Sequence, residues 1–331
     1  MTRWLAFWLL VTGTVSGQSL HRYAFTRPLY GTECTLIFYA PNQQTAQRVR
    51  TAVDARLDSL NGVMSDYLDG SEINRVSASA GSGAWVTVSA DLFAVLWRAQ
   101  SIARASGGRF DPTVGPLALL WRRAVRRKVF PSGTERRRAH RLVNYRRLEL
   151  DPVGRRVRLS RPGMRLDVGG IGQGFAIDEG MKALKAAGIR SALLDIGGDI
   201  LVSEPPPGAP GWRVRAGSGS DTLTLWLQHA AVTTSGAAYR FLEHRGRRYS
   251  HLLDPRMGLG LRHHVWTTVL APDGVRADAL AKVFSVAGIR RGKRLQKRFP
   301  EAEVWQMEQR KGRTIVWKTG RFAEGKTEAN R

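Results

Sequence analysis

The chain has 331 residues, of which 43% are hydrophobic and 8% aromatic, and its formal net charge is +25. This composition is typical of a folded globular protein and excludes an intrinsically disordered chain. Cys34 is the only cysteine, which excludes an intrachain disulfide. Because it stands beside an apolar strand, we expect this thiol to be packed in the core rather than catalytic.

The N-terminus predicts a segment that is removed on export. Thr2-Arg3 is basic, residues 4–15 form an apolar run too short to span a bilayer, and residues 15–17 are small enough for cleavage. We therefore expect residues 1–17 to be a signal peptide. The protein would then be periplasmic or lie on the outer face of the cytoplasmic membrane. An uncleaved anchor is the alternative, and the lack of a cysteine at this junction argues against a lipoprotein.

The first third of the chain predicts an extended segment followed by two helices. Residues 23–40 read as extended chain. Residues 42–60 carry apolar side chains at helical spacing and begin at Asn42, a residue type that caps helices. Residues 90–106 predict a second helix, with Ser89 as its cap.

The rest of the chain predicts alternating strands and helices. Residues 148–168 read as two short strands, residues 204–210 as a proline-rich loop, and residues 212–232 as two further strands. Residues 277–287 predict a helix and residues 304–317 a closing hairpin. We expect one α+β domain over residues 18–321, with mixed sheets and packed helices in a single catalytic unit, and a disordered polar tail at residues 322–331.

Positive charge is concentrated in one segment, residues 121–147. Eleven Lys or Arg residues stand there against a single acid, Glu135. Such a run is typical of a surface that binds nucleic acid, an anionic membrane or an acidic protein. Nucleic acid fits an exported protein poorly, and the run lacks the interleaved aromatic residues of a single-strand binder. A plain solvated surface is the alternative to an acidic or membrane contact.

The most informative segment contains four glycines in six positions, Gly169 to Gly174, after the short apolar run that begins at Arg165. A helix is predicted from Asp178 to Gly188, and a strand at residues 191–196. A strand, glycine turn, helix and strand in this order can hold a phosphate at the helix N-terminus. The pattern matches neither a P-loop nor a dinucleotide fingerprint, so a packed turn is an equal reading on pattern alone.

Five separated stretches of the chain resemble the FAD:protein FMN transferases of the ApbE type. Together they extend from about Phe25 to Gly288. They are Tyr30-Gly31-Thr32; Met64-Ser65-Asp66-Tyr67 with Ser71-Glu72-Ile73; Gly108 to Leu117; the glycine segment; and a C-terminal block made of Thr233 to Gly236, Tyr249 to Arg256 and Ala277 to Ala281.

The resemblance implies a metal-dependent transferase that attaches part of its substrate to another protein. FAD is the substrate, AMP leaves, and FMN is joined by a phosphoester bond to a threonine of an acceptor flavoprotein subunit, which we expect to be membrane-associated. Phosphoryl transfer of this kind depends on positioning and on neutralising phosphate charge. We expect Mg²⁺, or Mn²⁺, since both accept oxygen ligands.

The metal site is where the chain departs from the family. The resemblance implies that Asp278 and the backbone carbonyl of Gly170 are ligands, with a threonine four residues after the aspartate. That position is Lys282 here. An ammonium cannot ligate a cation, but at this helical spacing it can pair with Asp278. Either Lys282 swings clear of the metal, or its charge replaces part of the metal's charge, or transferase activity is lost.

The resemblance also implies the residues that contact FAD. His251 and Asp278 are the expected catalytic residues, with His251 acting as a base or as a donor to phosphate. Gln173 stands where lysine is frequent in the family, and Tyr30 where methionine is more common. The expected cofactor contacts are Tyr30, Tyr67, Arg109, Phe110, Asp111, Gln173, Ala176 and His251.

Two other functions remain open from the sequence. One is a flavin-binding relative that lacks transferase activity or slowly hydrolyses FAD to FMN and AMP. The other is a basic docking protein with a vestigial flavin site, in which residues 121–147 make the contact.

Overall fold

The computed structural model describes residues 19–218, 221–236, 241–310 and 312–324. The expected signal peptide and residues 325–331 of the expected tail lie outside these ranges. The helices are α1 (Gln43–Met64), α2 (Glu72–Ala78), α3 (Ala90–Ser106), α4 (Gly115–Arg127), α5 (Gly133–His140), α6 (Gly172–Ala186), α7 (Gly274–Leu295) and α8 (Arg321–Glu324).

The strands are β1 (His21–Leu29), β2 (Thr32–Ala40), β3 (Val86–Thr87), β4 (Leu148–Asp151), β5 (Arg156–Leu159), β6 (Ala192–Ile196), β7 (Asp199–Val202), β8 (Trp212–Ser218), β9 (Asp221–Leu227), β10 (Ala230–Gly236), β11 (Phe241–His244), β12 (Arg247–Ser250), β13 (Leu253–Asp254), β14 (Leu259–Gly260), β15 (His264–Ala271), β16 (Glu303–Arg310) and β17 (Arg313–Lys318).

One eight-stranded sheet organises the domain, in the order β1-β2-β6-β7-β10-β15-β16-β17. Each pair of neighbours in it runs antiparallel. Smaller sheets, β3-β5-β4, β8-β9, β11-β12 and β13-β14, surround it. The α+β prediction, with mixed helices and sheets, is confirmed.

Alternate side chains of the central strands enter two apolar layers, as the period-2 geometry of a strand requires. Leu194 and Ile196 point into the larger core, which α1, α3, α6 and α7 cover. Leu193 faces the second core beneath the β8–β9 hairpin. Within the described residues, no helix combines the length and the apolar composition needed to cross a bilayer.

The expected boundary of the disordered tail is wrong at its start. Phe322, the first residue assigned to that tail, lies in α8 and is fully buried. Its ring centroid is 5.9 Å from that of Trp305 in β16. The polar residues around Phe322 predicted disorder, but the Phe322 side chain packs into the second core.

Local capping signals located the two long N-terminal helices. Asn42 accepts a hydrogen bond from the Thr45 amide and begins α1, and Ser89 accepts one from the Leu92 amide and begins α3. Both predictions are confirmed, because a cap satisfies amides that have no partner inside the helix itself. The predicted hairpin near the C-terminus is confirmed as β16 and β17.

The prediction for the glycine segment needs correction at two points. The apolar run before it forms no strand: Arg165 makes one isolated bridge to Val114. The helix begins at Gly172 and not at Asp178. The first turn of this helix is stabilised by Asp278, which accepts from the Gly174 amide. Because Asp278 is distant in the chain, the local sequence does not indicate this start.

The basic run folds into α4 and α5. One face of α4 is apolar and packs through Leu117 and Trp121 against Leu242 and Tyr249 of the β11–β12 hairpin. No residue of α5 is buried. Most of the basic side chains are therefore at the surface. The exception is Arg122, which belongs to the candidate site.

Candidate active site

Two helices approach so closely at the centre of the domain that only glycine fits between them. A methyl group at Gly174, in the first turn of α6, would overlap the backbone oxygen of Gly274 at the start of α7. A methyl group at Gly274 would overlap the oxygen of Gly174 in the same way. The two glycines therefore let the N-terminal turns of α6 and α7 lie backbone to backbone.

Asp178 of α6 fixes this crossing from one side. Its carboxylate accepts hydrogen bonds from the amides of Gly274 at 2.7 Å and Val275 at 3.1 Å, the first residues of α7. Burial raises the pKa of Asp178 to about 6, and these two donors oppose that shift. A carboxylate at a helix N-terminus satisfies orphan amides and interacts favourably with the helix dipole.

Asp278 of α7 fixes the crossing from the other side. It is fully buried, and one of its oxygens accepts a hydrogen bond from the Gly174 amide at 3.0 Å. Its other oxygen accepts one from the ammonium of Lys282, one helical turn further along α7. Two of the residues that the resemblance selected are thus paired, at the N-terminus of the helix that follows the glycine segment.

Asp199 is a third ionisable group of this site, and it lies outside the residues that the family resemblance implies. It is buried at the start of β7 and pairs in register with Thr233 of β10. Burial and the neighbouring Asp278 raise the pKa of Asp199 to about 7, and the charge of Lys282 opposes the shift. The only sequence signal was its place after Gly197-Gly198 at the end of a predicted strand.

Lys282 is the cation that these two acids share. Burial lowers the pKa of an ammonium, but the charges of Asp278 and Asp199 more than offset burial, so the pKa of Lys282 is raised. The amine is therefore charged at neutral pH. A carboxylate, an ammonium and a second buried acid meet where the glycine segment enters α6.

The glycine segment, Phe110 and Lys282 come together at one point. A Cβ placed on Gly170 would lie 3.1 Å from the Phe110 ring and 3.8 Å from Cγ of Lys282. Glycine at this position leaves room for the ring beside the backbone. Three residues that the resemblance assigned to the flavin and the metal are thus neighbours in the structure.

Asp111 holds the segment that carries Phe110. One of its oxygens accepts from the amide and the hydroxyl of Thr113, at 2.8 Å and 2.6 Å, and the other accepts from the Tyr145 amide at 2.9 Å. Burial raises the pKa of Asp111 although these donors lower it. Both oxygens are used internally, so this side chain positions Phe110 rather than reaching a ligand. The backbone of Arg109 to Asp111 remains the part that the resemblance directs to FAD.

Tyr67 presents an open aromatic face next to the site. Its side chain is among the exposed large hydrophobic residues, with 75% of the residue accessible. The guanidinium of Arg122 lies 4.4 Å from the ring centroid, a cation–π distance. One side of the ring is therefore supported by a cation, and the exposed ring is suited to stack on a planar ligand.

Arg122 connects Tyr67 to the glycine segment. It donates to Asp66 at 2.6 Å and to Asp167 at 2.7 Å, and Asp167 accepts from the Gly169 amide at 2.8 Å. Burial raises the pKa of Asp167, and Arg122 opposes that shift. Arg122 is the exception within the basic run: it holds together the wall of the site and is not a docking residue.

Tyr30 lies at the turn between β1 and β2. Its hydroxyl donates to the Leu57 carbonyl of α1 at 2.5 Å, and burial raises its pKa. The same turn places Thr32 against Gly197, two residues before Asp199. Tyr30 therefore anchors a turn that borders the buried acid, and its hydroxyl is already used within the protein.

The other expected contacts lie in different environments. Gln173 is half-buried in the first turn of α6, beside the paired glycines. Ala176 is fully buried in the core, so its side chain does not face solvent, and its expected contact with FAD stays a prediction. His251 is exposed on the loop that follows β12, in the hairpin layer outside the main sheet.

The residues at this site do not suit a divalent cation in the arrangement observed. Both oxygens of Asp278 accept hydrogen bonds, and an ammonium stands where a neutral oxygen ligand is expected. Among the described residues, no group of three or more His, Cys, Asp or Glu side chains is placed to hold a metal. A cation would need oxygen ligands that Lys282 now covers.

Comparison with known proteins agrees with this architecture. A model of the ApbE family matches residues 30–305. The FAD:protein FMN transferase of Treponema pallidum is 31% identical over 315 residues, which cover 88% of this chain and 86% of the relative. The FAD:protein FMN transferase of Haemophilus influenzae is 26% identical over 255 residues, 74% of each chain.

A solved structure extends the likeness to the fold. The flavinyl transferase ApbE of Pseudomonas stutzeri, in its apo form, superposes with a TM-score of 0.82 at 26% identity, covering 92% of this chain and 96% of that one. The sequence match and this superposition both extend over most of the chain, including the glycine segment and the start of α7. The chain therefore belongs to the ApbE family.

Proposed function

We propose that this protein is a flavin transferase that uses FAD, releases AMP and attaches FMN to a threonine of an acceptor flavoprotein. The observation that carries the proposal is the meeting of the Gly170 backbone, the Phe110 ring and the charged pair of Asp278 and Lys282 at the N-terminus of α6. Two similar proteins, 31% and 26% identical to this chain, are named FAD:protein FMN transferases, which supports the proposal.

The reaction requires one bond to form and one to break at the same phosphorus. The threonine oxygen attacks the phosphorus of the FMN half of FAD. The bond from that phosphorus to the bridging oxygen breaks, and AMP leaves with the electron pair. The hydroxyl proton passes to a base, a role that we assign to His251, while the alternative role for His251 is to donate a hydrogen bond to phosphate.

Lys282 supplies positive charge beside the phosphates in this proposal. A divalent cation is the common solution for phosphoryl transfer, and Mg²⁺ or Mn²⁺ is what the resemblance implies. Here the ammonium is already bound to Asp278, next to the glycine backbone. We therefore propose that the charge of Lys282 takes over part of the work of the metal, and we route no step through a metal ion.

The isoalloxazine ring would contact the aromatic residues of the site. Tyr67 offers an exposed face supported by Arg122, and Phe110 closes the wall beside Gly170. Gln173 would contribute a neutral amide to a phosphate or to a ring edge. The absence of a cation at position 173 accords with the cation that Lys282 adds one helical turn after Asp278.

We also propose that the protein acts outside the cytoplasm on a membrane-associated acceptor. The basic start, apolar run and small residues of the first 17 positions support export. Sequencing the N-terminus of protein recovered from the exported fraction tests this. A start at residue 18 supports the proposal, and a start at residue 1 in the cytoplasmic fraction would overturn it.

The transfer itself is tested with FAD and an acceptor fragment that bears a threonine site. AMP release is followed by chromatography, and flavin attachment by in-gel fluorescence after denaturation. AMP together with a fluorescent acceptor is the expected result. AMP without labelled acceptor would favour an FAD hydrolase, and tight FAD binding without AMP would favour a flavin-binding relative.

The flavin-binding relative is the second candidate, and Lys282 is the observation that favours it. Lys282 places a buried ammonium where the resemblance implies a threonine ligand, as expected if the metal site has been lost. If the protein were only a basic docking protein with a vestigial flavin site, it should retain no flavin on purification.

A further inference from the structure

Five arginines line a cavity of about 390 Å³ on the side of α7 away from its N-terminus. They are Arg109, Arg290, Arg291, Arg294 and Arg298, and the remaining lining residue is Leu295. A cavity of this size is at the lower end of the range for small-molecule sites. Arg109 belongs to the same segment as Phe110, but its side chain lines this cavity, whereas the Phe110 ring contacts Gly170.

A kink in α7 sets the direction of the helical segment that carries Arg290, Arg291 and Arg294. Gly288 adopts a φ of 68°, which ordinary residues rarely adopt, so the second half of the helix starts in a new direction. The buried carboxylate of Glu308 accepts from the Ile289 amide and so caps that second half. Arg291 and Arg294 follow three residues apart on one face of this second half, and Arg298 lies in the 3-10 turn after it, residues 296–298.

The C-terminus of α3 fixes two of the five side chains. Arg109 donates to the Ser106 carbonyl at 2.6 Å, and Arg298 donates to the Ala105 carbonyl at 3.0 Å. These carbonyls belong to the last turn of the helix, where cations are favoured. The Nε of Arg109 is buried and has no hydrogen-bond partner among the described residues.

Positive charge in the cavity is not neutralised by the protein. Within the described ranges, none of the five arginines forms an ion pair with a carboxylate, whereas Arg123 on α4 pairs with Glu135. The charge of Asp254 raises the pKa of Arg109, but Asp254 is already paired with Arg256 at 3.0 Å. Burial and the charges of Arg256 and Arg291 lower the pKa of Arg109.

We propose that this cavity binds a soluble small anion that carries two or more phosphate groups. Guanidinium groups match phosphate oxygens in a two-pronged geometry, and five of them exceed what a single phosphate can neutralise. The five like charges around the cavity repel one another until an anion enters. The proposal does not rest on the proposed transferase activity, since it uses a different part of α7.

The test is binding of inorganic triphosphate to the purified protein by isothermal titration calorimetry. The variant is Arg291→Gln with Arg294→Gln, two exposed side chains. The control is Arg137→Gln with Arg138→Gln, two exposed arginines of α5 that change the net charge equally. We expect the first pair to weaken binding at least ~10-fold and the control to stay within about twofold of wild type.

Four further measurements make the test decisive. Orthophosphate should bind more weakly than triphosphate, and raising salt from about 50 to about 300 mM should weaken triphosphate binding by roughly an order of magnitude. FAD affinity should be the same in wild type and in the Arg291 and Arg294 variant. Substitution of Arg291 and Arg294 by lysine should give intermediate affinity, because the charge is kept and the fork is lost.

Four results would overturn the proposal. They are no triphosphate binding at low salt, an equal loss in the α5 control, a parallel loss of FAD affinity that would make the cavity part of the flavin site, and binding to phosphatidylglycerol vesicles without binding to triphosphate, which would indicate a lipid surface. Retained thermal stability of each variant excludes misfolding as the cause of lost binding.

Discussion

The ammonium of Lys282 donates to the same buried carboxylate, Asp278, that accepts the Gly174 amide at the start of α6. One side chain thus joins two helices and holds a cation beside the glycine segment. Gly170, Phe110 and Asp199 lie around this pair. In the proposed reaction the ammonium of Lys282 would neutralise negative charge on the phosphates of FAD.

Replacing Lys282 by threonine should change metal dependence. We expect chelation of divalent cations to leave turnover of the wild type within about twofold, because an ammonium already supplies charge. The Lys282→Thr variant frees an oxygen of Asp278 and adds a hydroxyl, so Mg²⁺ should stimulate it at least ~10-fold. AMP release with and without Mg²⁺ measures both.

The control is Lys185→Thr, the same exchange at an exposed position of α6. It should show the metal response of the wild type. Complete loss of wild-type turnover on chelation would contradict this prediction and would mean that Lys282 moves aside for a metal.

Arg122→Gln should destabilise the protein, whereas the same exchange at its neighbour should not. Arg122 bridges two largely buried acids, Asp66 and Asp167, and its loss leaves both without their cation. We expect the free energy of unfolding to fall by about 1–3 kcal/mol. The Michaelis constant for FAD should also rise, since the support behind Tyr67 is lost.

Arg123 provides the comparison, because its pair with Glu135 leaves 47% and 50% of the two side chains exposed. Arg123→Gln should cost no more than ~0.5 kcal/mol. Urea denaturation of both variants measures the difference, and equal losses would show that the bridge to Asp66 and Asp167 contributes nothing particular.

Gly174→Ala and Gly62→Ala should have opposite effects. A methyl group at Gly174 overlaps the backbone of Gly274, so the two helices must separate, and we expect a loss of about 3 kcal/mol or more. Gly62 lies inside α1 with open space around its Cα, so alanine there should stabilise by ~0.5–1 kcal/mol. Thermal and urea unfolding give both values, and a neutral Gly174→Ala would contradict the close crossing of α6 and α7.

Cys34 should be unreactive in the native protein. Its thiol is buried, and burial raises its pKa to about 11 from the ordinary value of 9.0. Because the thiolate is the reactive form, a raised pKa means slow reaction at about pH 8, with a rate that rises about tenfold per pH unit toward pH 10. The rate with a chromogenic disulfide reagent is the measurement, and full reactivity should appear in denaturant. Rapid native reaction would show that β1 or β6 separates from β2 beside Cys34.

The sequence predicted the helices whose capping residue stands immediately before the helix. Asn42 and Ser89 precede α1 and α3 and satisfy amides within the same turn. The start of α6 has no such signal, since its cap Ile171 makes no side-chain hydrogen bond and Asp278 supplies the acceptor from α7. That boundary was misplaced by six residues for this reason.

Site residues divide in the same way. The pairing of Asp278 with Lys282 follows from their spacing on one helix, and it was anticipated. Asp199 was missed because its importance comes from lying near Asp278, which is 79 positions away in the chain. Arg122 was assigned to a basic surface because a run of arginines does not show which one turns inward.

The sequence by itself determined the family, the α+β class and the chemical oddity of Lys282, because these depend on residue identity and on spacing within single elements. Only the tertiary structure decided that Asp199 lies close enough to raise the pKa of Lys282, that Arg122 supports Tyr67, and that five arginines converge on one cavity. Such relationships join elements that are distant in the chain, and burial and charge act through space rather than along the sequence.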